Sequence, residues 1–210
     1  MNTKKLLMTV IGNMTIAFGV SVLNLSGFGL DAFTAMNLGV SSVLHVGLGI
    51  YQSIFNILLC IPIYLMFKKA LGIGSLVNMF LFGYFVQFFM YLWGVFGITP
   101  ALFEAVVIKA VLLFVGFMVT NFGASLYMAC DNGVGPYDAL GPLIEAKTKI
   151  PFRYARIITD FCCAAIGFIA GNIAGVTTIG VATIVVVLFT GPVISFYRSA
   201  FVDRWIEKLN

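Results

Sequence analysis

The sequence predicts an all-α membrane protein: six transmembrane helices plus two re-entrant or interfacial half-helices, arranged as an inverted-topology internal repeat of three spans and three. Three observations carry that prediction. The chain of 210 residues is 61% hydrophobic and only 10% charged, with a mean hydropathy of +1.07, whereas an average soluble domain is about 25% charged. The sequence is also written twice. Ile11 to Ser21 (IGNMTIAFGVS) aligns with Val115 to Ser125 (VGFMVTNFGAS) at an offset of 104, GLDAFT (29–34) lies over GVGPYD (133–138) at the same offset, and GIGSLVNMFLFG (72–83) lies over GVATIVVVLFTG (180–191) at 108. Finally, the basic residues fall on one side. With the N-terminus inside, Lys4, Lys5, Lys68, Lys69, Lys147, Lys149, Arg153, Arg156, Arg198, Arg204 and Lys208 all map to the cytoplasmic face, and only Lys109 maps opposite.

The apolar runs are long enough to place the elements in order, since about 20 apolar residues cross a bilayer. Uncharged stretches run over 6–30, 32–67, 70–103, 110–130 and 161–197, and Pro62, Gly72, Gly94, Pro100, Gly171 and Gly175 divide them. Spans are expected at 6–27, 48–67, 73–93, 104–129, 153–171 and 177–197. Lys4 and Lys5 resemble the charged start of a signal peptide, but the first span recurs at Val115 and lacks a small-residue cleavage site, so it reads as retained. Segments 29–45 and 133–148 are too short or too polar to cross, and each opens on a glycine-rich turn, which predicts the two half-helices. The whole chain, 1–210, then forms one transmembrane domain, with repeats of about 6–95 and 104–198. Three crossings per repeat is an odd number, so the second copy is expected upside down. Trp93 and Trp205 are expected near the interfaces, and 199–210 (SAFVDRWIEKLN) is expected as an amphipathic cytoplasmic tail.

Candidate functional residues concentrate at the second half-helix and the span after it. Gly133 and Gly135 permit a tight turn, Pro136 suits a first helical position, Tyr137 follows, and Asp138 falls in the first turn. Free N–H groups at that helix start can hold an anion or a polar solute; a capped cytoplasmic loop is the structural alternative. In the first half Gly29, Asp31, Phe33 and Thr34 occupy the matching places, with Thr34 over Asp138, and an N-cap role alone accounts for Asp31. Arg156 and Asp160 lie four apart on one helical face, with Asp160 about 10 Å along the axis from Arg153 at 1.5 Å per residue. The repeat sets Gln52 over Arg156 and Asn56 over Asp160. Because ionisable groups at depth are costly and face a partner or a wet cavity, Asp160 is the leading single candidate, with a structural ion pair to Arg156 as the alternative. Asp138 and Asp160 suit cation or proton coupling, and Arg156 with the half-helix backbone suits anionic groups.

Elsewhere the residues read as packing. Gly12, Gly19, Gly116, Gly123, Ser125, Gly167 and Gly171 suit close helix contact. Asn13, Asn24, Asn78, Gln87 and Asn121 either bridge helices or line a path. His45 reads as interfacial, and Glu104 and Lys109 as groups near the outer boundary. The four cysteines, Cys60, Cys130, Cys162 and Cys163, lack CxxC spacing, and the 21 Phe imply no cofactor, so neither metal nor cofactor is expected. No HExxH, Walker A or GxSxG motif occurs, so no enzyme is expected.

GVGPYD, GIGSLVNMFLFG and GVATIVVVLFTG together resemble the YczE/YyaS/YitT family of bacterial integral membrane proteins. The resemblance extends over most of the chain and implies a small multi-span bacterial inner-membrane protein with a transport role. It also implies that Gly133, Gly135, Pro136, Tyr137 and Asp138 form a recurring turn element. The first half departs from that element, with Ala32 and Thr34 in the places of proline and aspartate. The function expected is a secondary carrier or facilitator for a small polar or charged solute, moving between the repeats. A passive aquaporin-like channel and a non-transporting accessory protein are the alternatives. The partners expected are a small molecule or ion and the lipid bilayer, without nucleic acid; a homo-oligomer is compatible with the sequence.

Overall fold

The computed structural model describes residues 3–176 and 178–208, apart from the side chains of Gly49 and Gln87. Every regular element among the described residues is helical. They run α1 (Thr3–Leu25), α2 (Ala32–Val43), α3 (Leu48–Phe67), α4 (Ile73–Val95), α5 (Val106–Ala129), α6 (Pro136–Thr148), α7 (Phe152–Ala174), α8 (Val181–Tyr197) and α9 (Asp203–Glu207). Six helices are long and apolar enough to cross a membrane, namely α1, α3, α4, α5, α7 and the α8–α9 continuation. The chain is therefore a multi-pass membrane protein. α2 and α6, at 12 and 13 residues, are too short to cross at 1.5 Å per residue.

Boundaries fall where the local chemistry puts them. Asp31 caps α2, its Oδ1 accepting the Thr34 N–H at 3.0 Å, and Pro136 opens α6 with its fixed φ. α7 ends on Gly175 in the left-handed region. α8 begins at Val181 rather than 177, because Gly180 is pressed against the Phe28 carbonyl and takes an extended conformation; position 177 itself lies outside the described residues. The tail does not separate from the bundle. It continues α8 through a π-helical turn, Arg198–Val202, and buries Val202 and Ile206 against Leu126 and Cys130.

Glycines set the closest helix contacts. On the α1–α5 face a Cβ on Gly12 would lie 2.7 Å from Tyr127 Cβ and 3.0 Å from the Gly123 carbonyl, and one on Gly19 would lie 2.9 Å from the Gly116 carbonyl. Gly12 thus faces Gly123 and Gly19 faces Gly116, so the two helices run antiparallel. α2 rests on α7 in the same way, Gly39 meeting the Gly167 carbonyl and Gly167 meeting the Met36 N–H. Backbones in lipid approach through such positions, where van der Waals packing replaces the hydrophobic effect as the force between helices.

Two loops lock the ends of the bundle. The Gly74 N–H donates to the Asn132 carbonyl at 2.7 Å and the Ser75 hydroxyl to the Val134 carbonyl at 2.6 Å. At the other end the Ala182 N–H donates to the Phe28 carbonyl at 3.0 Å and the Thr183 hydroxyl to the Leu30 carbonyl at 2.6 Å. Ser75 and Thr183 also accept from the backbone N–H of Gly72 and Gly180, capping α4 and α8. Each turn that leads into a short helix is thereby fixed to the start of a long helix from the opposite half of the chain.

Candidate functional site

Charge gathers where the first turn of α6 meets the face of α7. The Arg156 Nη1 donates to Asp138 Oδ1 at 2.8 Å, and its Nε lies 3.2 Å from Asp160 Oδ1. The four-residue spacing on α7 makes the second contact; the turn at Gly133–Gly135 delivers the first. Two phenols complete the set: Tyr127, in the last turn of α5, donates to Asp138, and Tyr137 donates to Asp160. The Arg156 guanidinium also stands 4.6 Å from the centre of the Tyr137 ring. Each carboxylate thus receives one phenol and one guanidinium bond, which is how proteins hold charge at depth.

Exposure grades across the cluster. The side chain of Asp160 is 2% exposed, that of Arg156 12% and that of Asp138 21%. Asp138 is the group closest to solvent, and Asp160 is sealed. With both carboxylates ionised the three groups sum to one negative charge.

The middle of the molecule beside this cluster is apolar. Phe33 stacks on Tyr137 with ring centroids 4.2 Å apart and planes 18° apart, and Phe55 flanks Phe33 at 6.0 Å. Phe33 and Tyr137 are the residues matched by the 104-residue offset, so the starts of the two short helices meet through equivalent aromatic rings. Ala32, Met36, Cys163 and Val187 pack around them.

The expected site residues therefore divide. Asp138, Arg156, Asp160 and Tyr137 come together, and Phe33 touches them through Tyr137. Gly133, at φ +89°, and Gly29, at φ +107°, serve the interlocking turns: their Cα hydrogens face the backbones of Gly72 and Gly180. Gly135 packs under the Asn78 carboxamide, and Pro136 is buried at the helix start. Asp31 and Thr34 are joined by the N-cap bond rather than to the cluster. Gln52 and Asn56, half-buried on α3, form no side-chain hydrogen bond with it. Arg156, expected as an anion ligand, is already committed to two carboxylates. Of the amides, Asn78 bridges α4 to Asn13 on α1 at 2.8 Å, whereas Asn121 bonds the Phe117 carbonyl of its own helix. The side chain of Gln87 lies outside the described residues.

Tyr127 is the member that the sequence reading missed. It is fully buried beneath Gly12, and its only signal is a phenol in the last turn of an apolar span before a glycine-rich turn. The N-cap reading of Asp31 predicts that Asp31→Ala lowers stability by about 1 kcal/mol, in the range of N-cap losses, while the Arg156 cluster stays assembled. Thermal denaturation of the purified variant in detergent measures this.

The architecture and cluster can be set beside known proteins. A model of a family of unknown function, DUF6198, matches residues 3–199. The chain belongs to that family. This DUF6198 member is 30% identical over 190 residues to the uncharacterized membrane protein YczE of Bacillus subtilis, covering 88% of this chain and 81% of that one. It is 23% identical over 185 residues to an uncharacterized protein of Haemophilus influenzae, covering 87% and 78%. Both matches extend over most of each chain, and the first bears out the resemblance to YczE-type membrane proteins. No solved structure matches the chain significantly.

Proposed function

We propose that this DUF6198 member is a transporter of the bacterial cell membrane, a secondary carrier or facilitator for a small polar solute that is positively charged or moves with a proton. The observation that carries the reading is the buried Asp138–Arg156–Asp160 cluster at the start of a short helix inside an apolar bundle. Ionisable groups at membrane depth mark solute paths and proton relays more often than they serve packing. Arg156 balances only one of its two carboxylates, so the remaining charge selects a cation or a proton. The cluster binds and releases; no bond is made or broken.

The two halves are taken as inverted repeats, with both termini cytoplasmic and the path between α2 and α6. Cross-pairing supports this: Gly12 faces Gly123 and Gly19 faces Gly116, while 12 and 19 match 116 and 123 in the repeat. The interlocking turns obey the same exchange, Leu30 serving Thr183 as Val134 serves Ser75. A pseudo-twofold axis in the membrane plane produces such reciprocal contacts. A carrier fits better than an aquaporin-like pore, because the stacked Phe33 and Tyr137 close the middle and Asp160 is sealed, whereas an open channel keeps its polar groups wet.

The test uses the full chain in liposomes, with imposed pH and cation gradients and a panel of ammonium compounds and alkali ions. Saturable flux is expected, and Asp138→Asn is expected to reduce it by about ten- to a hundredfold, the value of one charged hydrogen-bond partner. Absence of flux under every gradient, or equal flux in Asp138→Asn, overturns the proposal.

A further inference from the structure

A second site lies on the outside of the bundle, away from the charge cluster. α7 and α8 touch where Gly191 meets the backbone of Arg153: a Cβ on Gly191 would stand 2.5 Å from the Arg153 carbonyl. Beside that contact the helices leave a cleft of about 420 Å³, lined by Arg153 and Ile157 of α7 and by Pro192, Ser195, Phe196 and Ser199 on the α8 side. Its lining is mixed. Ile157, Pro192 and Phe196 supply its apolar lining, and Arg153 with the serines Ser195 and Ser199 supplies the polar part.

Arg153 has no carboxylate partner among the described residues. Its guanidinium lies 4.6 Å from the ring centre of exposed Tyr154, and Glu145 of α6 accepts the Phe152 N–H at the start of α7. The other basic group at this corner, Arg198, is committed to Asp203 at 3.1 Å. The Ser195 hydroxyl makes no hydrogen bond among the described residues, and the start of α7 adds the positive end of its helix dipole. An unpaired cation with one free hydroxyl, Ser195, beside an apolar wall matches an anion carrying a hydrocarbon chain; the Ser199 hydroxyl donates to the Phe196 carbonyl at 3.1 Å.

We propose that this cleft binds an anionic phospholipid, the phosphate held by Arg153 and Ser195 and an acyl chain lying along Ile157, Pro192 and Phe196. The depth fits. Arg153 is the second residue of the spanning helix α7, which puts its guanidinium where headgroups meet hydrocarbon, and Ser195 lies in the last turn of α8 beside it. Around the cleft Ile158, Phe161, Phe189 and Phe196 are exposed, as a lipid-facing surface requires. The proposal rests on the membrane-spanning fold and on this end facing the anionic leaflet; it does not need the chain to transport anything.

Native mass spectrometry of the purified full chain, released from mixed micelles of phosphatidylglycerol and phosphatidylcholine, tests it. Wild type is expected to retain phosphatidylglycerol preferentially. Arg153→Gln is expected to lower that preference about fivefold, the worth of one basic residue at a membrane surface, and Arg153→Lys to keep most of it. Arg204→Gln, on the tail, should leave it unchanged. Equal retention of both lipids by wild type overturns the proposal without any variant. So does an undiminished preference in Arg153→Gln, or a thermal stabilisation by inorganic phosphate alone as large as that by phosphatidylglycerol, which would make the occupant a free anion. Failure of flux with retained lipid selectivity would remove the transport reading and leave this site standing.

Discussion

Arg156→Met is expected to lower stability by about 3–5 kcal/mol, the range for breaking a buried ion pair from one side, and to abolish flux. Asp160→Asn is expected to leave a folded protein. The asymmetry follows from charge. Removing the guanidinium leaves Asp138, and above all the sealed Asp160, without a counter-charge. Neutralising Asp160 instead leaves Arg156 paired with Asp138 at 2.8 Å, and the new amide oxygen still accepts from Tyr137. A loss of no more than about 1.5 kcal/mol is expected there, as for one net hydrogen bond. Since the two residues touch, the double variant Arg156→Met with Asp160→Asn should recover part of the loss, with a coupling of about 0.5–3 kcal/mol. Denaturation of the single and double variants in detergent measures all three values. Equal losses in the two single variants would mean that the cluster is not held by charge.

How much of this was legible depends on which interactions are local. The spans were legible because apolar runs of bilayer length leave little choice of element, and α3 begins and ends as expected. The Arg156–Asp160 pair was legible because a helix brings residues four apart together. Asp138 was placed by the glycine and proline that build its turn. Tyr127 was not legible: its bond to Asp138 arises because α5 ends beside the start of α6, a tertiary approach that no spacing encodes. Gln52 and Asn56 misled for a related reason. They match Arg156 and Asp160 in the repeat, but their half carries Thr34 and Phe33 where the other carries Asp138 and Tyr137, so no charge gathers there. α3 offers Tyr51 and Phe55 to that side instead.

That division has a consequence for the proposed carrier. One half holds the polar cluster, the other a flat apolar ring, and the two meet through the Phe33–Tyr137 stack. Tyr137 belongs to both environments, since it donates to Asp160 while its ring faces Phe33 and Arg156. A solute or proton that displaces the Tyr137 phenol from Asp160 therefore also disturbs the contact between the short helices. The glycine faces of α1 and α5 bring the two halves into close backbone contact, and any rocking of the proposed carrier has to take place across that face.

The turns that interlock the halves set the limit of such movement, and Gly133→Ala is expected to be among the most damaging single substitutions in the chain. Gly133 has φ +89°, and a Cβ there would stand 2.2 Å from the Gly72 nitrogen and 2.6 Å from its Cα. Backbone atoms cannot swing aside as a side chain can. The conformation alone costs about 1–3 kcal/mol for a residue with a Cβ, and the overlap adds about 1–3 kcal/mol or more as the start of α4 is pushed away. Gly29→Ala, at φ +107° with the Gly180 nitrogen 2.8 Å from the added Cβ, is expected to do the same to the start of α8. Gly27 supplies the control: φ is +67° but nothing lies within 4 Å, so Gly27→Ala carries conformational strain alone, about 1–2 kcal/mol. Yields of monodisperse protein and thermal midpoints should rank Gly27→Ala well above Gly29→Ala and Gly133→Ala. If Gly133→Ala matched Gly27→Ala, the approach of Gly72 would have no structural weight, and the two halves would not be fastened through their turns.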